Sequence, residues 1–176
     1  MLYSLTDDDF AAAIDIINKN WQLQYTGIVN PDLLSKSGLS ERANDLKSDF
    51  INHRLKEYVW KESGQVLAIL SIGDTSDIDR PRAFEIWRIY VEPMAQRKGI
   101  GRRLINFAET FAQNNGYQEI VIWAFRENKA ALHFYQALGY YIDKEEYLDE
   151  PYQAYGVRLL KKIKNQANKP IDGYYV

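Results

Sequence analysis

The sequence predicts one α/β (or α+β) domain, a mixed sheet covered by helices. Two observations carry this. Strand-like runs alternate with helical patterns through the second half of the chain, the order that lays helices over a sheet. The length, 176 residues, suits a single domain at roughly 150 residues each, and 46% apolar with 26% charged residues is enough to bury a core. The domain is expected to span 1–162, with 163–176, rich in Lys and Asn, as a C-terminal tail.

The elements follow in order. A short strand is expected at Leu2–Leu5. Thr6, with Asp9 three positions on, supplies an N-cap for a helix to about Asn20, its inner face carrying Phe10, Ile14 and Ile17. After an irregular stretch with Trp21, Tyr25, Gly27 and Pro31, Ser40 is expected to cap a helix to about Leu55, with Leu46, Phe50 and Ile51 inward. Tyr58–Lys61 and Gln65–Gly73 flank Glu62-Ser63-Gly64 and read as a hairpin. A polar connection at 74–82 leads to a strand at Ala83–Val91, which Pro93 ends because proline cannot donate to the ladder. Ile100, Leu104, Phe107, Ala108 and Phe111 mark a helix to about Asn115, stopped by Gly116. Glu119–Phe125 is short, apolar and β-rich, as a buried central strand should be. Asn128 caps a helix through Leu138, and strands at Tyr140–Tyr147 and Ala154–Leu160 complete the order.

Composition removes several classes of function. With no cysteine there is no disulfide, thiolate metal site or cysteine nucleophile, and His53 and His133 are too far apart in sequence to suggest a histidine-rich metal site. A net charge of −2 argues against a general nucleic-acid binder. No apolar run approaches the roughly 20 residues of a membrane span. The acidic start MLYSLTDDDF lacks the pattern of a signal peptide, so the expected location is cytoplasmic.

Chemistry concentrates in a strand–loop–helix segment, FEIWRIYVEP-MA-QRKGIGRRLINFAETF. Gln96-Arg97-Lys98-Gly99-Ile100-Gly101 is a glycine-bearing turn opening a helix directly after a strand. Unpaired backbone N–H groups at a helix N-terminus, together with the helix dipole, favour an anion. Gly99 and Gly101 allow close backbone approach, and Arg97, Lys98 and Arg102 add cationic side chains. No Lys-Ser/Thr pair follows, so this is not a Walker loop, and no third glycine stands at dinucleotide-fold spacing.

The turn after Y-V-E-P, and the run E-N-K-A-A-L-H-F-Y-Q-A-L-G-Y some thirty residues later, resemble the GNAT N-acetyltransferase superfamily. Gln96, Gly99 and Gly101 match its (Gln/Arg)-x-x-Gly-x-(Gly/Ala) loop, and Asn128, Ala131, Tyr135, Gly139 and Tyr140 match its Asn-x-x-Ala-x-x-x-Tyr-x-x-x-Gly-(Phe/Tyr) helix. The resemblance implies a mostly antiparallel sheet of six to seven strands flanked by about four helices and splayed at the fourth strand. It also implies acetyl-CoA as cosubstrate, with no metal, and direct attack by a primary amine.

On that resemblance the pyrophosphate lies on Gln96–Arg102, Ile100 included. The pantetheine arm adds to the strand Glu85–Val91 as a pseudo-strand, bonded by Ile89 and Val91. Backbone N–H groups near Ile89 and Tyr90 face the thioester oxygen. Arg88, breaking the apolar face of the strand, fits either a bulge that splays it or a side chain snorkelling outward. Glu85 is the candidate base for an ammonium whose pKa is about 10.4, or else a strand glutamate in a salt bridge; Glu92 is its rival. Tyr135 is the candidate acid toward the departing thiolate, or else a core aromatic. Asn128 is an N-cap that also touches the cofactor, and His133 is a surface or packing residue.

For the acceptor, the resemblance points to the segment holding Trp21, Tyr25 and Gly27, and to the last interstrand loop with Glu145, Glu146, Asp149, Glu150, Tyr147 and Tyr152. Acidic and aromatic groups suit a cationic small-molecule amine such as a polyamine. A protein N-terminal or lysine acetyltransferase, and a non-catalytic acyl-CoA-binding domain, are the alternatives. A homodimer, docked through Gly173–Val176, is a further possibility.

Overall fold

The computed structural model describes residues 1–163. The tail expected from 163 onward lies outside them except for Ile163, which is buried and donates its N–H to the Gln118 carbonyl at 2.9 Å. The expected docking segment Gly173–Val176 also lies outside the described residues.

Strand β1 (Leu2–Ser4) leads into helix α1 (Phe10–Tyr25), with the Asp9 carboxylate accepting from the Thr6 hydroxyl at 2.8 Å and from its N–H at 3.3 Å. The helix runs five residues past the expected end. Trp21 and Tyr25 continue the i, i+4 series begun by Ala13 and Ile17, and all four are buried, so the tertiary stripe carries the helix onward. Helix α2 (Lys36–Ile51) is capped by Ser35, whose hydroxyl accepts from the Gly38 N–H, and not by Ser40, which bonds the Lys36 carbonyl inside the helix. Leu46 is buried as expected, but Ile51 in the last turn is 59% exposed. The remaining elements are β2 (Lys56–Glu62), β3 (Gln65–Asp74), β4 (Phe84–Val91), α3 (Ile100–Asn114), β5 (Glu119–Phe125), α4 (Lys129–Gln136), β6 (Tyr141–Leu148) and β7 (Ala154–Lys162).

The seven strands form one sheet in the order β1-β2-β3-β4-β5-β7-β6, antiparallel throughout except for the β4–β5 pair. That pair is short. Phe84 faces Ile120 and Glu85 faces Val121, and beyond them the strands part. The sheet is therefore splayed at the fourth strand, with a cleft opening between the later residues of β4 and β5.

A bulge prepares the cleft. Ser71 faces Arg88 while Ile72 faces Ile86, so Trp87 is the extra residue, one position before the Arg88 that breaks the apolar pattern. One inserted residue reverses the alternation of every side chain after it. Arg88 and Tyr90 thus share a face with Glu85, while Ile89 and Val91 turn to the opposite face with Phe84 and Ile86. Arg88 does not snorkel outward: its guanidinium pairs with Asp49 at 2.7 Å and Glu57 at 3.4 Å.

Each face has its own core. Helices α3 and α4 cover one, packing Leu104, Ile105, Leu132 and Tyr135 on Leu70, Ile86 and Ile122. Helices α1 and α2 cover part of the other, packing Ile17, Trp21 and Leu46 on Val59 and Ile69. Beyond the reach of those helices, the 75–83 connection is tied to the same face by ion pairs to β5, β6 and β7.

Candidate active site

The glycine turn, expected to hold an anion, follows β4 and opens α3. Gly99 caps α3 in the left-handed region, φ +83°, and a Cβ there would meet nothing within 4 Å, so this backbone is open to a ligand. Arg97 is also left-handed, φ +63°. Arg97, Lys98 and Arg102 are exposed, and none is in an ion pair among the described residues. A Cβ on Gly101 would sit 3.4 Å from the Phe134 ring, so this glycine brings α3 and α4 close together. Ile100 is buried and anchors the first turn of α3.

Gln96 is part of an amide cluster. Its Nε2 donates to Asn20 Oδ1 and to the Val91 carbonyl, both at 3.2 Å. Asn20, 1% exposed, donates to the Ile16 and Val91 carbonyls at 2.8 and 3.0 Å and accepts from Gln24 at 2.7 Å. Gln24 in turn accepts from Asn128 Nδ2 at 3.2 Å. Asn128 caps α4, its Oδ1 accepting from the Ala131 N–H at 3.1 Å. A chain of amides, buried at Asn20 and open to solvent at Gln24 and Gln96, therefore joins the turn before α3 to the start of α4.

Ladder phase decides which β4 groups face the cleft. Glu92 N–H bonds the Leu67 carbonyl at 2.8 Å, and Val91 faces Ala68. In an antiparallel ladder this makes Val91 a non-hydrogen-bonded partner and commits Tyr90 to β3, leaving the N–H and C=O of Ile89 and the N–H of Val91 toward the cleft. The Tyr90 N–H thus points away from the cleft, and the Val91 carbonyl is already taken by Asn20 and Gln96. The Tyr90 contribution is its side chain, whose hydroxyl accepts from Trp21 Nε1 at 3.0 Å.

Glu85 stands at the apex of the split, 5% exposed. The Thr75 hydroxyl donates to its carboxylate at 2.8 Å, and Glu85 has no ion pair among the described residues. Burial pushes its pKa up to about 7; the nearby Asp77 charge adds to this, and the Thr75 and Ser76 bonds and Arg54 oppose it. Glu92 is tied to Lys19 at 3.4 Å. Tyr135 projects from α4 on the other face of the sheet, 7% exposed, and its hydroxyl makes no hydrogen bond among the described residues. Burial, then the neighbouring Tyr90, raises its pKa further above the usual phenol value, so it keeps its proton. His133 is exposed on α4.

A second buried carboxyl was not singled out by the sequence reading. Glu57, 6% exposed, accepts from the Ser71 hydroxyl and pairs with Arg88, and burial lifts its pKa to about 7. A carboxyl raised on folding favours the folded state while protonated, and that contribution is lost as pH rises through about 7. Glu57→Gln should therefore flatten the fall in melting temperature between pH 5 and pH 8, checked by thermal denaturation at both.

The aromatic wall expected for the acceptor is partly core. Trp21 and Tyr25 are 9% exposed, and Arg42 covers the Trp21 ring at 4.3 Å. Glu145 and Glu146 are paired with Arg126 and Lys144, whereas Asp149 and Glu150 are exposed and have no ion pair among the described residues. Tyr147 and Tyr152 remain partly exposed. Gly27, φ +78°, turns the chain after α1.

A seven-stranded sheet split at its fourth strand, beside a glycine-capped helix start, is the scaffold this chain shares with solved N-acetyltransferases. Residues 17–140 match the family model described as acetyltransferase (GNAT) family, and the chain belongs to that family of enzymes. An uncharacterized N-acetyltransferase of Methanocaldococcus jannaschii is 38% identical over 65 residues, 37% of this chain and 29% of that protein, so the match spans under a third of that relative's length. A spermidine N(1)-acetyltransferase of Thermoplasma acidophilum is 26% identical over 149 residues, 79% of this chain and 86% of that one. In fold, the chain superposes on a PaiA N-acetyltransferase from Thermoplasma acidophilum, solved in complex with coenzyme A. That match has a TM-score of 0.73 at 19% identity and covers 93% and 98% of the two chains. Among the described residues no helix is long and apolar enough to cross a membrane.

Proposed function

We propose that the protein transfers an acetyl group from acetyl-CoA to the primary amine of a small cationic acceptor, a polyamine being the leading candidate. One observation carries the choice of a small acceptor. The Asn30 N–H donates to the Tyr152 carbonyl at 2.9 Å, and the Asn30 side chain donates to Glu150 at 3.4 Å. These bonds bring the loop after α1 against the β6–β7 loop. Those are the two segments that wall the acceptor side, and an extended internal peptide needs an open groove between them. The exposed carboxylates of Asp149 and Glu150, neither in an ion pair among the described residues, lie on this rim and favour a cationic acceptor. The similarity to a spermidine acetyltransferase supports the same reading.

The residues fit acetyl-CoA. Gly99, Ile100, Gly101 and Arg102 present the first-turn amides of α3 to the pyrophosphate, and Arg97 and Lys98 add charge. Ile89 and Val91 offer the free backbone groups of β4 to the pantetheine arm. The N–H of Ile89 or Val91 faces the position where the thioester oxygen gains charge. Asn128 and Gln96 act through the amide cluster, holding the start of α4 and the turn before α3 at a set separation. Glu85 takes the ammonium proton, directly or through water, and the amine attacks the thioester carbon without a covalent enzyme intermediate. Tyr135 hands its proton to the departing sulfur.

Gly99→Ala should weaken acetyl-CoA binding and cost roughly 1 kcal/mol of stability from the left-handed backbone. Calorimetric titration with acetyl-CoA and a thermal melt check the two parts. The acceptor is tested by CoA thiol release across polyamines, aminoglycosides, amino acids and short peptides. Saturable turnover with polyamines and none with peptides is expected. Turnover with peptides alone would assign a protein acetyltransferase, and acetyl-CoA binding without turnover on any acceptor would assign a sensor.

A further inference from the structure

The charged network on β7 has no part in the chemistry above. Arg158 is 2% exposed in β7, between the buried Val157 and Leu159. Its guanidinium donates to Asp77 at 2.9 Å, to both Asp79 oxygens at 2.8 and 2.7 Å, and to Asp143 at 2.9 and 2.6 Å. Burying a charge this deeply is tolerated only when its donors are matched, and here three carboxylates match them. Two of the three, Asp77 and Asp79, belong to the 75–83 connection. The far part of that connection is held separately, by Arg80 on Glu119 and Asp143.

We propose that Arg158 is a positioning residue for Glu85: by gripping Asp77 and Asp79 it holds Thr75 against the Glu85 carboxylate and keeps water from the apex of the split. The chain of contacts is continuous. Arg158 and Trp123 Nε1, the latter at 3.1 Å, both hold Asp77 Oδ2. The Asp77 N–H donates to the Thr75 hydroxyl at 3.1 Å, and that hydroxyl donates to Glu85 at 2.8 Å. The charged and polar groups facing Glu85 are Thr75, Ser76 and Asp77 from this connection and Arg54 from the turn after α2. All but Arg54 depend on the seating of the connection. The inference rests on Glu85 being the base, so the test separates the two.

Releasing the connection hydrates Glu85 and moves the Asp77 charge away, and both changes return the carboxyl toward the ordinary carboxylate range. Loss of the Thr75 and Ser76 bonds acts the other way, but the Thr75 bond is smaller than the burial it accompanies and the Ser76 bond smaller than the effect of the Asp77 charge. In the pH profile of kcat/KM for the amine, the acid limb of Arg158→Met should therefore move down by about one pH unit or more, with kcat reduced about tenfold. KM for acetyl-CoA should stay within about twofold, since α3 is untouched. Arg158→Lys keeps the charge without the fork and should fall between. Should Arg158→Met fail to fold, Asp79→Asn removes charge from the outer partner, whose side chain is 56% exposed, and should move the limb in the same direction by less. Folded variants with the limb in place, while Glu85→Gln abolishes it, would overturn the positioning role alone. A limb that persists in Glu85→Gln would overturn the base assignment, and the proposal with it.

Discussion

Tyr135→Phe should lose kcat by about a hundredfold or more while melting close to the wild-type temperature. The two halves of that result have separate causes. The hydroxyl makes no hydrogen bond among the described residues, so its removal costs the fold almost nothing. The ring stays in place, with Phe134 at 5.4 Å and Tyr140 at 6.2 Å between centroids. On the role proposed for Tyr135, what is lost is the proton that would pass to the departing sulfur. If Tyr135 were only a core aromatic, the phenylalanine variant would turn over normally. Steady-state kinetics and a melting curve on the same preparation separate the two.

Glu85→Gln is the second large effect, with a distinct signature. If Glu85 is the base, the wild-type rate should rise as pH increases through about 7, because the carboxyl accepts a proton only when ionised and burial holds its pKa there. Below that value the carboxyl is protonated and the rate falls about tenfold per pH unit. The glutamine side chain keeps the size and can still accept from Thr75, but it takes no proton at any working pH. The variant should therefore be slow and lack the acid limb, with residual rate growing only as free amine accumulates toward pH 10. Initial rates from pH 5.5 to 9.5, with saturating acetyl-CoA, read this directly.

How much of this was legible in the sequence depended on whether local pattern or tertiary contact set the feature. Glu119–Phe125 is observed with the bounds expected, because a short β-rich apolar run fits only a buried strand. The glycine turn and the Asn128 cap were equally local, and both stand where the motifs put them. The bulge was visible only as Arg88 interrupting an apolar face; its extra residue is Trp87, since the register with β3 decides which residue is left unpaired. Ser40 was the wrong cap because Ser35 lies behind a turn that the sequence read as irregular.

Groups that act across the sheet were not found. Glu57 meets Ser71 and Arg88 from two other strands, and Arg158 meets aspartates about 80 positions away. Only one signal pointed to either: a charge inside a strand otherwise fit for burial, as in A-Y-G-V-R-L-L, requires partners somewhere in the fold. Asn20, which holds the Val91 carbonyl, lay just at the expected end of its helix and gave no signal at all.

The reaction proposed is direct acetyl transfer from acetyl-CoA to a small amine across the split between β4 and β5. It is tested most directly by following acetyl-CoA and spermidine together, with mass spectrometry of both the amine and the intact protein. N-acetylated spermidine, unmodified protein throughout, and intersecting double-reciprocal lines when both substrates are varied are the expected results. Parallel lines with an acetylated protein intermediate, or acetyl-CoA that binds and is never consumed with any amine, would contradict it.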